Sequence, residues 1–158
     1  MNVAELIVHY LKLKGVKQCF SMVGGHSLFL NYAFSRCASI NTTYMHNEQS
    51  MSMAADAYYR TSNTLAAINV TAGPAALNCL NGVYGAYVDA IPMVVISGNP
   101  KQKLLINATG QPVRQYGDQE FGNIIDVVRP ITKVAQQLKD GMDFNFTIQK
   151  ILYEATSG

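Results

Sequence analysis

The chain predicts an α/β fold: a doubly wound, mostly parallel sheet with helices on both faces. Stretches such as Thr64–Val70 and Pro92–Ser97 ("PMVVIS") are short and apolar, without the alternation of a half-solvated strand, so both of their faces are covered. Segments with helical periodicity separate them, and right-handed crossovers turn that alternation into a layered sheet. Composition agrees: of 158 residues 49% are hydrophobic and only 14% charged, which suits one domain (residues 1–158) with more than one covered face.

The elements follow in order. Over Val3–Lys14 the apolar residues Leu6, Ile7, Tyr10, Leu11 and Leu13 make an amphipathic helix that Gly15 closes. A short apolar segment, Gln18–Val23, runs into Gly24-Gly25, and Ser27–Cys37 reads as a second helix. Asn41–Met45 is a strand and Glu48–Arg60 a helix carrying Ala54, Ala55 and Ala57. After the strand Thr64–Val70 comes the turn Ala72-Gly73-Pro74, then a helix over Ala75–Val88. Pro74 suits its first turn, where the missing N–H would be unpaired anyway. Pro92–Ser97 is a strand, 98–116 a long loop, Phe121–Val127 a short helix, Ile131–Ala135 a strand and Asp143–Thr156 a closing helix. The alternation leads to the expectation of one more strand beyond, so the sheet is expected to lack its last strand here.

Several function classes fall away. The net charge is +2 with no Lys/Arg cluster, which gives no footing for nucleic acid or an anionic membrane. No apolar run has the length of a membrane span and no signal-peptide pattern opens the chain, which together point to a cytoplasmic protein. Cys19, Cys37 and Cys79 are odd in number and form no CxxC, so they read as reduced thiols and no metal site is expected.

Ligands of such sheets sit beyond the carboxyl ends of the strands. Three loops qualify: "MVGGHS" (22–27), "MHNE" (45–48) and "TAGPAALN" (71–78). Gly24 and Gly25 let backbone approach a flat ligand, and "TAGPAALN" offers helix-start N–H groups and the amide of Asn78. Neither loop is GxGxxG or a P-loop. Glu48 is the one acid among them. As an acid in a first helical turn it would contribute about 0.3–1 kcal/mol through the macrodipole, and spacing alone favours that capping role. His26 and His46 read as polar loop residues, Asp56 and Asp89 as surface structure, and Met51 and Met53 as packing.

Taken in order, "GVKQCFSMVGG", "HNEQSMSMAADAYYR", "INVTAGPAALNCLNGVYGAYVDAIPMVVISG", "RQYGDQEFGNIIDVVRPITK" and "LYEATSG" resemble the N-terminal, pyrimidine-binding domain of thiamine-diphosphate-dependent enzymes, with acetolactate synthase and its relatives the nearest group. The resemblance spans about Val3 to Gly158. It implies that Glu48 hydrogen-bonds N1′ of the aminopyrimidine and favours the imino tautomer, whose 4′-nitrogen takes the proton from C2 of the thiazolium. The cofactor then supplies the carbanion chemistry and the protein supplies orientation. It also implies cofactor contacts for Gly24, Gly25, Pro74 and Asn78, and places Gln119 toward the active site.

The departures are Val23 where the family usually has Pro, Ala75 for the second Gly of "GPG", Asn47 for the His before the Glu, and Asp118 where acetolactate synthases have Phe. The last argues for a relative with another substrate. The family's diphosphate and Mg²⁺ signature, Gly-Asp-Gly with a later Asn-Asn, does not occur in this sequence. The resemblance therefore implies a truncated domain that is inactive alone. The full-length protein would be a lyase or transferase acting on a small 2-keto acid, a homodimer or tetramer. Its cofactor would lie between this domain and the diphosphate-binding domain of a neighbouring subunit, with FAD left open. Two alternatives stand beside it: a separate pyrimidine-binding subunit of a two-chain decarboxylase, and a non-catalytic α/β nucleotide-binding module in which Glu48 only caps a helix.

Overall fold

Ala66–Val70 (β3) is buried at every position, as an unalternated apolar strand covered on both faces must be. The structure is a computed structural model and describes residues 1–101, 103, 110 and 124–157. On one side β3 pairs with Gln18–Ser21 (β1), which pairs in turn with Asn41–Tyr44 (β2); on the other it pairs with Val94–Ser97 (β4). All three pairings are parallel and the order is β2-β1-β3-β4. This is the doubly wound sheet that the sequence predicts.

Two apolar layers enclose it. Val3–Leu13 (α1), Leu28–Ser35 (α2) and, further along, the helix Phe144–Glu154 bury Val8, Leu11, Phe34, Ile148 and Leu152 against Cys19 and Ala67. On the opposite face Glu48–Ser62 (α3), Pro74–Asn78 (α4), Leu80–Val88 (α5) and Ile124–Val128 (α6) bury Met51, Ala55, Ala76, Val83 and Ile124 against Ala66, Ile68 and Val70. Phe144–Glu154 is α7 in chain order. Helix starts follow local chemistry. Asn2 and Glu5 form a capping box on α1, and the Asp143 side chain accepts from the Phe146 N–H at 3.0 Å to start α7. Gly73 sits at φ +69°, ψ −126°, a conformation that a side chain would forbid, and this lets Pro74 open α4.

Some expectations change. Ile131–Ala135 is not a strand: Arg129–Ile131 forms a 3₁₀ turn around Pro130, and the residues that follow run without a ladder. Thr132 is locally extended, but among the described residues β4 pairs only with β3, so β-branched propensity there finds no partner strand. The helix expected over Ala75–Val88 is two, divided at Cys79. The second helix begins later, after a 3₁₀ turn at Gly25–Ser27. Met51 is fully buried as expected, whereas Met53 is 46% exposed. Arg60 ties α3 to the end of α5, bonding Asp56 at 3.0 Å and Asp89 at 2.5 Å, which accounts for both acids.

α3 and α5 approach closely because of Gly82. A methyl group there would lie 2.7 Å from Ser52 Cβ and 2.9 Å from the Met53 backbone nitrogen, whereas one on Gly85 in the same helix meets nothing within 4 Å. Gly82→Ala is therefore expected to destabilise by about 1–3 kcal/mol and Gly85→Ala to stabilise by about 0.5–1 kcal/mol. Urea midpoints of the two variants check the pair, and equal shifts would contradict the packing.

Candidate functional site

Strand order reverses at β1 and β3. The loop after β1 leads to α2 on one face, and the loop after β3 leads to α4 and α5 on the other. The crevice between such loops is where open α/β sheets take ligands. Here the loops touch. A Cβ on Gly24 would lie 2.5 Å from Thr71 Cβ, so only glycine fits, and the His26 N–H donates to Thr71 Oγ1 at 3.2 Å. Gly25 differs, with nothing within 4 Å of the same position. The paired glycines therefore divide their work: Gly24 closes the loop contact and Gly25 leaves open space.

Glu48 is the first residue of α3, directly past the end of β2, and is half-buried. The cap belongs to its neighbour. Asn47 Oδ1 accepts from the Ser50 N–H at 3.0 Å, so α3 does not need Glu48 as its side-chain cap. Instead Glu48 Oε2 accepts from Asn78 Nδ2 at 2.7 Å, while Cys79 Sγ donates to the Glu48 carbonyl at 3.4 Å. These bonds join α3 to α4 across the sheet edge. The amide of Asn78, expected among the loop's donors, is the clamp on Glu48. Among the described residues Glu48 Oε1 has no hydrogen bond and Glu48 no ion pair.

Of the residues singled out, Gly24, Gly25, Glu48 and Pro74 lie on loops or helix starts at the carboxyl end of the sheet, and Asn78 is the last residue of α4. Gln119 lies outside the described residues. His26 and His46 are exposed. Of the three alanines of α3, Ala55 is buried, Ala54 is half-buried and Ala57 is exposed, while the close approach to Gly82 is made by Ser52. Sequence reading missed Thr71, the contact of Gly24, and a buried polar cluster beneath the loop made by Ser21, Ser27, Asn31 and Asn69. An Asn inside the apolar strand "AAINV" and another in "LFLNYAF" were its visible signals.

This donor set fits the ring end of thiamine diphosphate: a carboxylate with one oxygen uncommitted among the described residues, an amide holding the other, and an open glycine. The three loops carry no Lys or Arg, and no group of three His, Cys, Asp or Glu that could hold a metal occurs among the described residues. Nothing here matches the diphosphate end. Nor is any helix among the described residues long and apolar enough to cross a membrane.

A parallel sheet with a clamped carboxylate at its switch-point edge defines a ligand-binding α/β domain. The chain belongs to the family of the thiamine pyrophosphate enzyme N-terminal TPP binding domain, whose model matches residues 1–124. It is 31% identical over 155 residues to the acetolactate synthase large subunit of Haemophilus influenzae, covering 98% of this chain and 26% of that protein. It is 31% identical over 155 residues to the isozyme 3 large subunit of Escherichia coli K12, covering 98% and 25%. The chloroplastic acetolactate synthase of Arabidopsis thaliana is 31% identical over 157 residues, covering 98% and 22%. The chain thus spans about a quarter of the length of these relatives.

Burial sets the thiol chemistry around the site. Desolvation pushes Cys79 up to about 12, with the Glu48 charge adding to it, and Cys19 also to about 12, opposed by a hydrogen bond from the Asn69 backbone. Cys37 is partly exposed. Thiol reagent at about pH 8 is expected to modify Cys37 in the native protein and to reach Cys19 and Cys79 only on unfolding. A thiol raised on folding favours the native state fully below its ordinary value of 9.0, and that contribution is lost as pH rises toward about 12. The loss is at most about 1.4 kcal/mol per pH unit per thiol. Urea midpoints above pH 9 should therefore fall more steeply than those of a Cys19→Ala/Cys79→Ala variant; parallel slopes would refute it.

Proposed function

We propose that this chain supplies the pyrimidine-binding half of a thiamine-diphosphate site. The enzyme in question acts on a small 2-keto acid, decarboxylating it and releasing or ligating the aldehyde unit, and is related to acetolactate synthase. One observation carries the reading: Glu48 is fixed at the sheet's carboxyl edge by Asn78 while its Oε1 is uncommitted among the described residues. Thiamine diphosphate supplies the carbanion chemistry when bound. Glu48 holds a proton between Oε1 and N1′ of the aminopyrimidine, Asn78 keeps the carboxylate plane in place, and Gly25 leaves room for the ring. Pro74 shapes the turn that brings Asn78 within reach. Gln119 is assigned to the substrate side of the site on its motif alone.

The diphosphate and Mg²⁺ belong to another domain, contributed by a neighbouring subunit in a homodimer or tetramer. Exposed apolar side chains on one layer support such a covering: Met53 on α3, Leu77 on α4, and Tyr84 and Val88 on α5. The alternative of a non-catalytic module with Glu48 as a mere cap is disfavoured by Asn47, which already caps α3.

Glu48→Gln keeps an acceptor for Asn78 but cannot share the proton. In the enzyme assembled with its diphosphate-binding domain, exchange of the thiamine C2 proton should slow by about 100-fold or more, while cofactor affinity changes far less. Unimpaired exchange would sink the assignment. The chain alone should self-associate at high concentration through the α3–α5 face, and Tyr84→Lys with Val88→Glu should abolish this. A sedimentation profile that stays monomeric at every concentration would count against the covered face.

A further inference from the structure

Beneath the loop at residues 22–27 lie four polar side chains in the core layer between the sheet and α2. Ser21, Ser27 and Asn69 are wholly inaccessible and Asn31 is 8% exposed. Ser21 Oγ donates to Asn31 Oδ1 at 2.8 Å; Asn69 Nδ2 donates to Ser21 Oγ at 2.9 Å and to Asn31 Oδ1 at 3.1 Å. This part ties the end of β1 to the end of β3 and to α2. The rest reaches the loop. Asn31 Nδ2 lies 3.1 Å from the Ser27 carbonyl, 3.0 Å from Ser27 Oγ and 3.4 Å from the Met22 carbonyl, while Ser27 Oγ donates to the Gly24 carbonyl at 3.2 Å. Three loop carbonyls, those of residues 22, 24 and 27, are thus addressed from below.

Four polar groups in a core are a poor way to gain stability. Their desolvation cancels much of what their bonds return, and an apolar set of similar volume is often as stable. Asn69 sharpens the point, because its Oδ1 is buried and has no hydrogen-bond partner among the described residues. Hydrogen bonds do give direction, which apolar contacts do not. The directions here converge on the loop that carries Gly24 and Gly25. From the side the same loop is held by Thr71 and by Gly98, where a methyl group would run into the His26 carbonyl.

We propose that Ser21, Asn31, Asn69 and Ser27 act as positioning residues: a buried polar clamp that fixes the Gly24–Gly25 backbone at the switch point for the ring of the cofactor. This rests on the thiamine reading above for the identity of the ligand, but not for the clamp itself. The clamp predicts that loop order and global stability separate on mutation.

Two measurements test it. Amide hydrogen exchange on this chain reads the loop without cofactor, and titration with thiamine diphosphate and Mg²⁺ in the enzyme assembled with its diphosphate-binding domain reads the site. Ser27→Ala and Asn31→Leu should speed exchange at Gly24–His26 by about tenfold or more and weaken thiamine diphosphate binding by a similar factor. Asn69→Leu, which removes the orphan acceptor, should leave the urea midpoint unchanged or higher and still speed loop exchange. Leu11→Ala, a buried apolar truncation in α1, should lower the urea midpoint yet leave loop exchange and affinity within about twofold. Exchange and affinity that simply follow the urea midpoint across all four variants would overturn the clamp. Failure of the unmutated assembled enzyme to bind thiamine diphosphate would overturn the function proposed above, and loop exchange would then judge the clamp alone.

Discussion

The contact of Gly24 with Thr71 is the constraint on which the site depends. β1 and β3 are neighbours in the sheet, yet their chains leave for opposite faces, so the two departing loops must cross one line of atoms at the same edge. A side chain on Gly24 would force them apart by roughly the width of a methyl group. Opening that edge would move Pro74 and α4 away from β1, and with them Asn78, whose reach to Glu48 is a single 2.7 Å bond. The local chemistry of one glycine is thereby linked to the placement of a carboxylate that lies beyond a third strand.

The layers behind the edge obey the same economy of size. β3 carries Ala66 and Ala67 at its start, so helices on both faces come close to the sheet. Gly82 brings α5 onto Ser52 of α3, and α3 in turn carries Glu48 at its first position. Position and rigidity of the acid therefore derive from small residues placed one layer further in.

Much of this was legible in the sequence, for physical reasons. Unalternated apolar runs announce strands covered twice, which holds throughout Ala66–Val70; Val94–Ser97 joins the same parallel sheet but leaves Val95 exposed. The strand expected at Ile131–Ala135 failed because propensity describes a chain's readiness to pair, not the presence of a partner. The break at Cys79 is not marked in "AALNCLNGVYGAYV" because its turn-forming residues, Asn78, Asn81, Gly82 and Gly85, are scattered along the stretch and no proline singles out one position. Glu48, Gly24, Pro74 and Asn78, singled out by their motifs, lie at the carboxyl end of the sheet, but the bonds they make are not legible in the motifs. The Asn47 cap of α3 is legible in "HNEQS", since Asn is a better cap than Glu. The polar cluster was missed because hydropathy averages treat single Asn residues in apolar runs as noise.

The choice of partner for Glu48 bears on what the carboxylate can do. A lysine or arginine at position 78 would have formed an ion pair and spent the charge inside the domain. Asn78 offers a neutral N–H instead: it orients the carboxylate through Oε2 without neutralising its charge. A half-exposed carboxylate is tolerated while water covers it, and it becomes a strong acceptor once another surface takes the water's place. Met53, Leu77, Tyr84 and Val88 on α3, α4 and α5 are exposed apolar side chains that such a surface would cover. On the function proposed above, the acid and the apolar face would be two parts of one device: a partner covering the face would displace the water beside Glu48 and leave its carboxylate as a stronger acceptor for a ring nitrogen.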